Sequence, residues 1–303
     1  MVHRIIARLV PLFPKKFIWL FSRKYIAGST LTDALKTVRR LGKQKIECTI
    51  DFLGESIASR EQAIEYQQHY LLTIEETAKA NLNASFSLKP TMFGLLWNED
   101  FCYRSIRDIV IAAMHCGLFV RIDMEDSQCT DKEIGLFERL YKEFPDHVGI
   151  VFQSCLKRTL LDIKYIKSIA IPGHRPNIRL CKGIYRESPD IAYQSKQDIR
   201  NHFLQCLGYM FEHNIYLAIA THDNYLVDKA VDLLKLYNKS FVDYEFQMLL
   251  GVTPKLRTRL VSEGHTMCVY VPYGEQWFQY SSRRLQENPH MVWDIIKSLF
   301  IRN

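Results

Sequence analysis

A chain of 303 residues with 48% apolar composition can bury a large core, and it sits near the length at which one core gives way to two. Its eight cysteines include no CxxC pair and no spacing typical of a zinc site or a secreted disulfide framework, so they read as reduced thiols of a cytoplasmic protein. The net charge of +7 is concentrated near the start and comes with no nucleic-acid recognition motif and no second basic stripe, which argues against a nucleic-acid partner.

No acidic residue precedes Asp33, whereas Arg4, Arg8, Lys15, Lys16, Arg23 and Lys24 all do. Ile5, Ile6, Leu9, Val10, Phe13 and Phe17 are interleaved with these bases, giving a basic amphipathic segment. Two readings stand side by side: a helix peripheral on an anionic inner membrane surface, or one packed on the main domain with its bases outward. The composition also fits an organelle transit peptide, which would make the protein mitochondrial in a eukaryote. No run approaches the ~20 apolar residues needed to span a bilayer. After Ser29, TLTDALKTVRRLGKQK has the pattern of an amphipathic helix, so residues 1–44 are expected to form an N-terminal helical arm.

From residue 45 onward, short β-branched runs alternate with longer amphipathic ones, with no linker between them. The strand candidates are IECTIDFL from Ile46, ASFSLK from Ala84, LFVRIDM from Leu118, VGIVFQS from Val148, NIRLCKG from Asn177, YLAIATH from Tyr216, YEFQMLL from Tyr244 and MCVYVP from Met267. Between them lie helical patterns such as EIGLFERLYKEF, with Ile134, Phe137, Leu140, Tyr141 and Phe144 on one face, and NYLVDKAVDLLKLYN. Eight strand–helix units in one domain, residues 45–303, predict an α/β fold of the (β/α)8 TIM-type barrel class. The absence of both GxGxxG and GxxxxGK[ST] speaks against a Rossmann site or a P-loop.

In such barrels chemistry gathers at the C-terminal ends of the strands. Polar residues stand at almost every one: Glu55, Lys89, Asp123 with Glu125 and Asp126, Gln153, Arg179 with Lys182, Thr221 with His222 and Asp223, Gln247, and Tyr270. Each alone could be an ion pair closing the barrel rim. There is no GxSxG, no HExxH and no pair of histidines at ligand spacing, so neither a hydrolase nor a metal site is expected. Tyr280, Arg283, Arg284 and Glu287 share one face of a helix following the last strand, at offsets suited to a carboxylate clamp. Many cations and little proton-transfer machinery point to a cofactor that carries the chemistry.

The segments YIAGSTL, DFLGES, SLKPT, VRIDMEDS, FQSCLKR, IRLCKGIY, IATHDN, YEFQMLLGV and YVPYGEQWFQYSSRRLQENP, in this order from Tyr25 to Pro289, resemble the proline dehydrogenases, in their short monofunctional form. The resemblance implies an FAD-dependent barrel that oxidises L-proline to 1-pyrroline-5-carboxylate and passes electrons to a membrane quinone. It implies that Arg283, Arg284 and Lys89 bind the carboxylate, that Asp123 pairs with the lysine, and that Tyr185, Leu249 and Tyr270 wall the proline ring. Glu55 would be a gate carboxylate. Gln153, Arg179, Lys182, Gly183, Thr221, His222 and Glu287 would contact FAD. Arg186 stands where bifunctional relatives have a tryptophan. Hydroxyproline or another cyclic amino acid, or folate reduction on a similar flavin barrel, are the rival chemistries.

Overall fold

A computed structural model describes residues 18–19, 22–54, 57, 59–278 and 280–282. Eight strands form a closed parallel barrel in sequence order: β1 (Glu47–Phe52), β2 (Ala84–Leu88), β3 (Phe119–Ile122), β4 (Val148–Gln153), β5 (Asn177–Cys181), β6 (Tyr216–Ala220), β7 (Tyr244–Leu249) and β8 (Met267–Tyr273). Every neighbouring pair is parallel, and β1 closes on β8 with Thr49 opposite Tyr270. Ahead of β1 lies α1 (Leu31–Gly42). The intervening helices are α2 (Arg60–Lys79), α3 (Glu99–His115), α4 (Thr130–Glu143), α5 (Thr159–Ser168), α6 (Lys196–Glu212), α7 (Asn224–Leu236) and α8 (Pro254–Ser262). This is the TIM-type barrel that the alternation of periods predicts.

Local chemistry sets the helix starts. Thr30 and Asp33 form a reciprocal capping box on α1, and Ser59, Asn98 and Ser195 each accept a backbone N–H in the first turn of their helices. Helix faces such as Ile134, Phe137, Leu140 and Tyr141 of α4 are buried against the outward faces of the strands. Ile50, Phe86, Val120, Ile150, Leu217 and Val269, one from each of six strands, are fully buried in that layer. Each such side chain contributes about 1.5–3 kcal/mol when removed from water. Ala34, Val38 and Leu41 of α1 belong to the same core, so the described part of the arm packs as a layer of the barrel. Most of the basic N-terminal segment lies outside the described residues. Among the described residues, no helix is long and apolar enough to cross a membrane.

The opposite faces of the strands are polar. Thr49, Asp51, Ser87, Arg121, Glu245 and Gln247 are all buried, and two contacts in this set run between strands that are not neighbours. Arg121 of β3 meets Glu245 of β7 at 3.4 Å, and Arg179 of β5 meets Ser87 of β2 at 3.0 Å. Only the barrel lumen connects such strands, so this chain fills its lumen with charge where branched apolar layers are usual.

Candidate active site

At the C-terminal end of the lumen, side chains from four strands converge. Asp123, just beyond β3, accepts the Nη1–H of Arg179 at 2.9 Å on one oxygen and the Tyr270 hydroxyl at 2.9 Å on the other. The Arg179 guanidinium also donates to Ser87 and lies 5.3 Å from the centre of the Tyr270 ring. Its Nε and Nη2 are buried with no hydrogen-bond partner among the described residues. Burial, then the Asp123 charge, pushes the Tyr270 phenol well above its ordinary range, which keeps it a neutral donor.

Lys89 follows β2 directly, and its Nζ lies 2.6 Å from Asp51 Oδ1. The resemblance assigns Asp123 as the acid pairing with this lysine. In the structure the bonded partner is Asp51, and Asp123 is engaged by Arg179 and Tyr270; Asp123 acts on Lys89 through its charge. Burial draws the lysine down, but the charges of Asp51 and Asp123 and the hydrogen bond to Asp51 outweigh it, so the ammonium is held above its usual range. Asp51 Oδ2 is buried without a partner among the described residues.

Around this centre the loops are tied to one another. Gln153 donates to the Glu125 carbonyl at 2.7 Å and accepts from the Ile184 N–H at 3.4 Å, joining the loops after β3 and β5. Glu187 accepts from the Ser127 N–H and hydroxyl at 2.8 and 2.7 Å. These bonds fix the segment carrying Tyr185, which is 38% exposed. Gly183 has φ +96°, and a Cβ there would lie 2.3 Å from Cys155 Sγ, so packing inside the protein already demands glycine. Behind the rim, Glu125 accepts two bonds from Thr91, and Glu133 accepts from the Glu125 N–H. Burial, then the neighbouring Glu125, raises Glu133 far above the carboxylate range.

On the β6 side, Thr221 is buried and its hydroxyl accepts from the Asp223 N–H. His222 Nε2 accepts from the Leu249 N–H at 2.9 Å, which places the proton of a neutral imidazole on Nδ1 and fixes Leu249 beside Tyr270 in the register. Lys182 reaches Asp223 at 3.3 Å, and Arg200 of α6 grips the same carboxylate with two bonds of 2.9 and 2.7 Å.

Of the residues expected at the site, Lys89, Asp123, Arg179 and Tyr270 are joined in or beside one network. Gln153, Lys182, Gly183, Tyr185, Thr221, His222 and Leu249 line the adjoining strand ends. Glu55, Arg283, Arg284 and Glu287 lie outside the described residues. Tyr280 is described and half-buried. Asp51 and Arg200 are absent from the expected set. Asp51 is legible as the last of the alternating polar residues Glu47, Thr49 and Asp51 on one face of β1, whereas nothing in the sequence distinguishes Arg200 from an exposed helix base.

A separate cavity of about 160 Å³, lined by Glu47, Arg121, Tyr216 and Glu245 among others, opens at the N-terminal end of the strands, away from this centre. Among the described residues, no cluster of three or more His, Cys, Asp or Glu side chains could hold a metal ion.

The donor set suits a ligand rich in acceptors. Arg179 keeps two buried nitrogens, Nε and Nη2, without a partner among the described residues, and Lys182, just beyond the end of the same strand, is a partly exposed cation. The fold and this rim define a TIM barrel with acidic and cationic side chains gathered at the C-terminal ends of its strands. Residues 34–293 match the family model described as proline dehydrogenase. Proline dehydrogenase 1 of Bacillus subtilis is 34% identical over 280 residues, covering 92% of this chain and 91% of that protein. Proline dehydrogenase 2 of the same organism is 36% identical over 269 residues, covering 89% of this chain and 87% of that protein. The chain belongs to the proline dehydrogenase family. Among solved structures, proline utilization A from Bdellovibrio bacteriovorus inactivated by N-propargylglycine superimposes with a TM-score of 0.83 at 25% identity, covering 89% of this chain and 32% of that longer one.

Proposed function

We propose that this enzyme oxidises L-proline to 1-pyrroline-5-carboxylate with FAD and passes the electrons to a membrane quinone. The observation that carries the reading is the meeting of Lys89, Asp123, Arg179 and Tyr270, from four strands, at one end of the barrel. FAD, when bound, supplies the two-electron acceptor for the hydride leaving the ring carbon next to the proline nitrogen. Arg179, Lys182, Gln153, Thr221, His222, Gly183 and Glu287 are the residues that would hold it.

Lys89, oriented by Asp51, holds the substrate carboxylate with Arg283 and Arg284. Tyr185, Leu249 and Tyr270 wall the ring and exclude water, with Tyr270 fixed by its bond to Asp123. Glu55 closes the site by pairing with an arginine of the last helix. The clustered cations favour the neutral amine over the ammonium, so the nitrogen arrives already able to form the C=N bond. The test is anaerobic addition of L-proline to the purified flavin-loaded protein, with hydroxyproline in parallel. Bleaching of the flavin bands by L-proline, reversed by a quinone analogue, is expected. A protein that binds no FAD, or whose flavin is reduced by hydroxyproline and not by L-proline, overturns the reading.

A further inference from the structure

The rim between β5 and β6 holds an arrangement at odds with a simple phosphate site. Lys182 stands where an anionic ligand would be gripped, yet a carboxylate, Asp223, lies 3.3 Å from its Nζ. A free carboxylate there would repel phosphate and capture the lysine. Arg200 prevents this: its Nε and Nη2 donate to the two Asp223 oxygens at 2.9 and 2.7 Å, both shorter than the contact from Lys182. The guanidinium is steadied from its other face by the Tyr225 ring, 4.9 Å from its centre, and Asp223 is anchored through its N–H to Thr221. The bonds from Arg200 are the main reason the Asp223 carboxyl is held down to about 2.

The geometry points to Arg200 as a positioning residue for cofactor binding: by occupying both oxygens of Asp223 it leaves Lys182 loosely tied and able to turn to the diphosphate of a dinucleotide. This rests on the FAD reading above. A bidentate guanidinium–carboxylate pair is stronger than a single ammonium contact at 3.3 Å, so a ligand anion can draw Lys182 away while the Asp223–Arg200 pair stays intact. Without Arg200, Asp223 and Lys182 would close on each other, and the cation would be lost to the ligand.

The experiment measures FAD affinity of the apoprotein by quenching of flavin fluorescence in the unaltered chain, R200M, R200K, D223N and R200M/D223N, with the melting temperature of each flavin-free protein as a control. R200M is expected to weaken FAD about tenfold, the scale of one charge-assisted hydrogen bond, and R200K to fall between R200M and the unaltered chain. D223N in the R200M background is expected to restore affinity to within about twofold, since no carboxylate remains to capture Lys182. Unchanged affinity in R200M, or a double variant as weak as R200M, overturns the proposal. Should R200M fail to fold, R200K against R200K/D223N gives the same comparison, with the same two overturning results. An unaltered chain that does not bind FAD overturns the cofactor reading instead, so the two failures are distinguishable.

Discussion

Lys89 carries a positive charge into the end of a barrel because Asp51, fully buried on the preceding strand, lies 2.6 Å from it. Removing one partner of such a pair leaves the other uncompensated, which costs about 3 kcal/mol. D51N is therefore expected to lower the stability measured by urea unfolding by about that amount, and to weaken a carboxylate inhibitor of the enzyme, because burial then drives Lys89 toward the neutral amine. D51N/K89M should regain part of the stability and none of the inhibitor affinity. A D51N protein that binds the inhibitor as before would show that Lys89 needs no counter-ion. Strand-end reasoning finds Lys89, Asp123, Arg179 and Tyr270 from sequence but passes over Asp51, because a mid-strand aspartate ordinarily reads as structural. The resemblance pairs the lysine with Asp123, whereas its hydrogen bond goes to Asp51 and Asp123 acts on it through charge: which of two nearby carboxylates takes the hydrogen bond depends on barrel register, and register is set by contacts far apart in the chain.

At the scale of elements, the eight strand runs are legible because β-branched and aromatic residues cluster in them and helical periodicity fills the gaps; the observed strands begin within one residue of each expected run. What sequence does not convey is how the loops lock. Gly183 reads as a glycine admitting a ligand to the backbone, whereas in the fold its φ of +96° and the 2.3 Å approach of Cys155 Sγ to a Cβ make it a packing requirement between the ends of β4 and β5. G183A is expected to destabilise by about 1–3 kcal/mol through backbone strain alone, with the clash added. C155A/G183A should relieve the approach to Sγ while keeping the strain and the 2.9 Å approach to Gln153 Oε1, so its melting temperature would lie between those of G183A and the unaltered chain. Equal melting temperatures for G183A and C155A/G183A would mean that the Cys155 contact contributes none of the cost. Within the expected arm, the helix Leu31–Gly42 is likewise legible; its membership of the barrel core follows from contacts of Ala34, Val38 and Leu41 that no local pattern specifies.

Across the whole molecule, two cores with opposite chemistry share one sheet: an apolar layer between strands and helices, and a charged lumen. The lumen places Arg121 and Glu245 below Arg179 and Asp123, so charges of both signs are stacked along the barrel axis. Burial and the like charge of Arg179 draw Arg121 down to about 10, and its Nε and Nη1 have no partner among the described residues. Glu245 is also held by Gln247 at 2.7 Å, which makes the acid the better satisfied member. R121M should then cost about 3–5 kcal/mol, because it leaves a buried carboxylate with only an amide donor. In R121M/E245L the destabilisation should fall short of the summed single effects of R121M and E245L by about 1–3 kcal/mol, the coupling expected of residues in contact. Additive costs in urea unfolding would mean that the 3.4 Å contact carries no net attraction, and that the lumen is held together through Arg179, Asp123 and Tyr270 at its upper end instead.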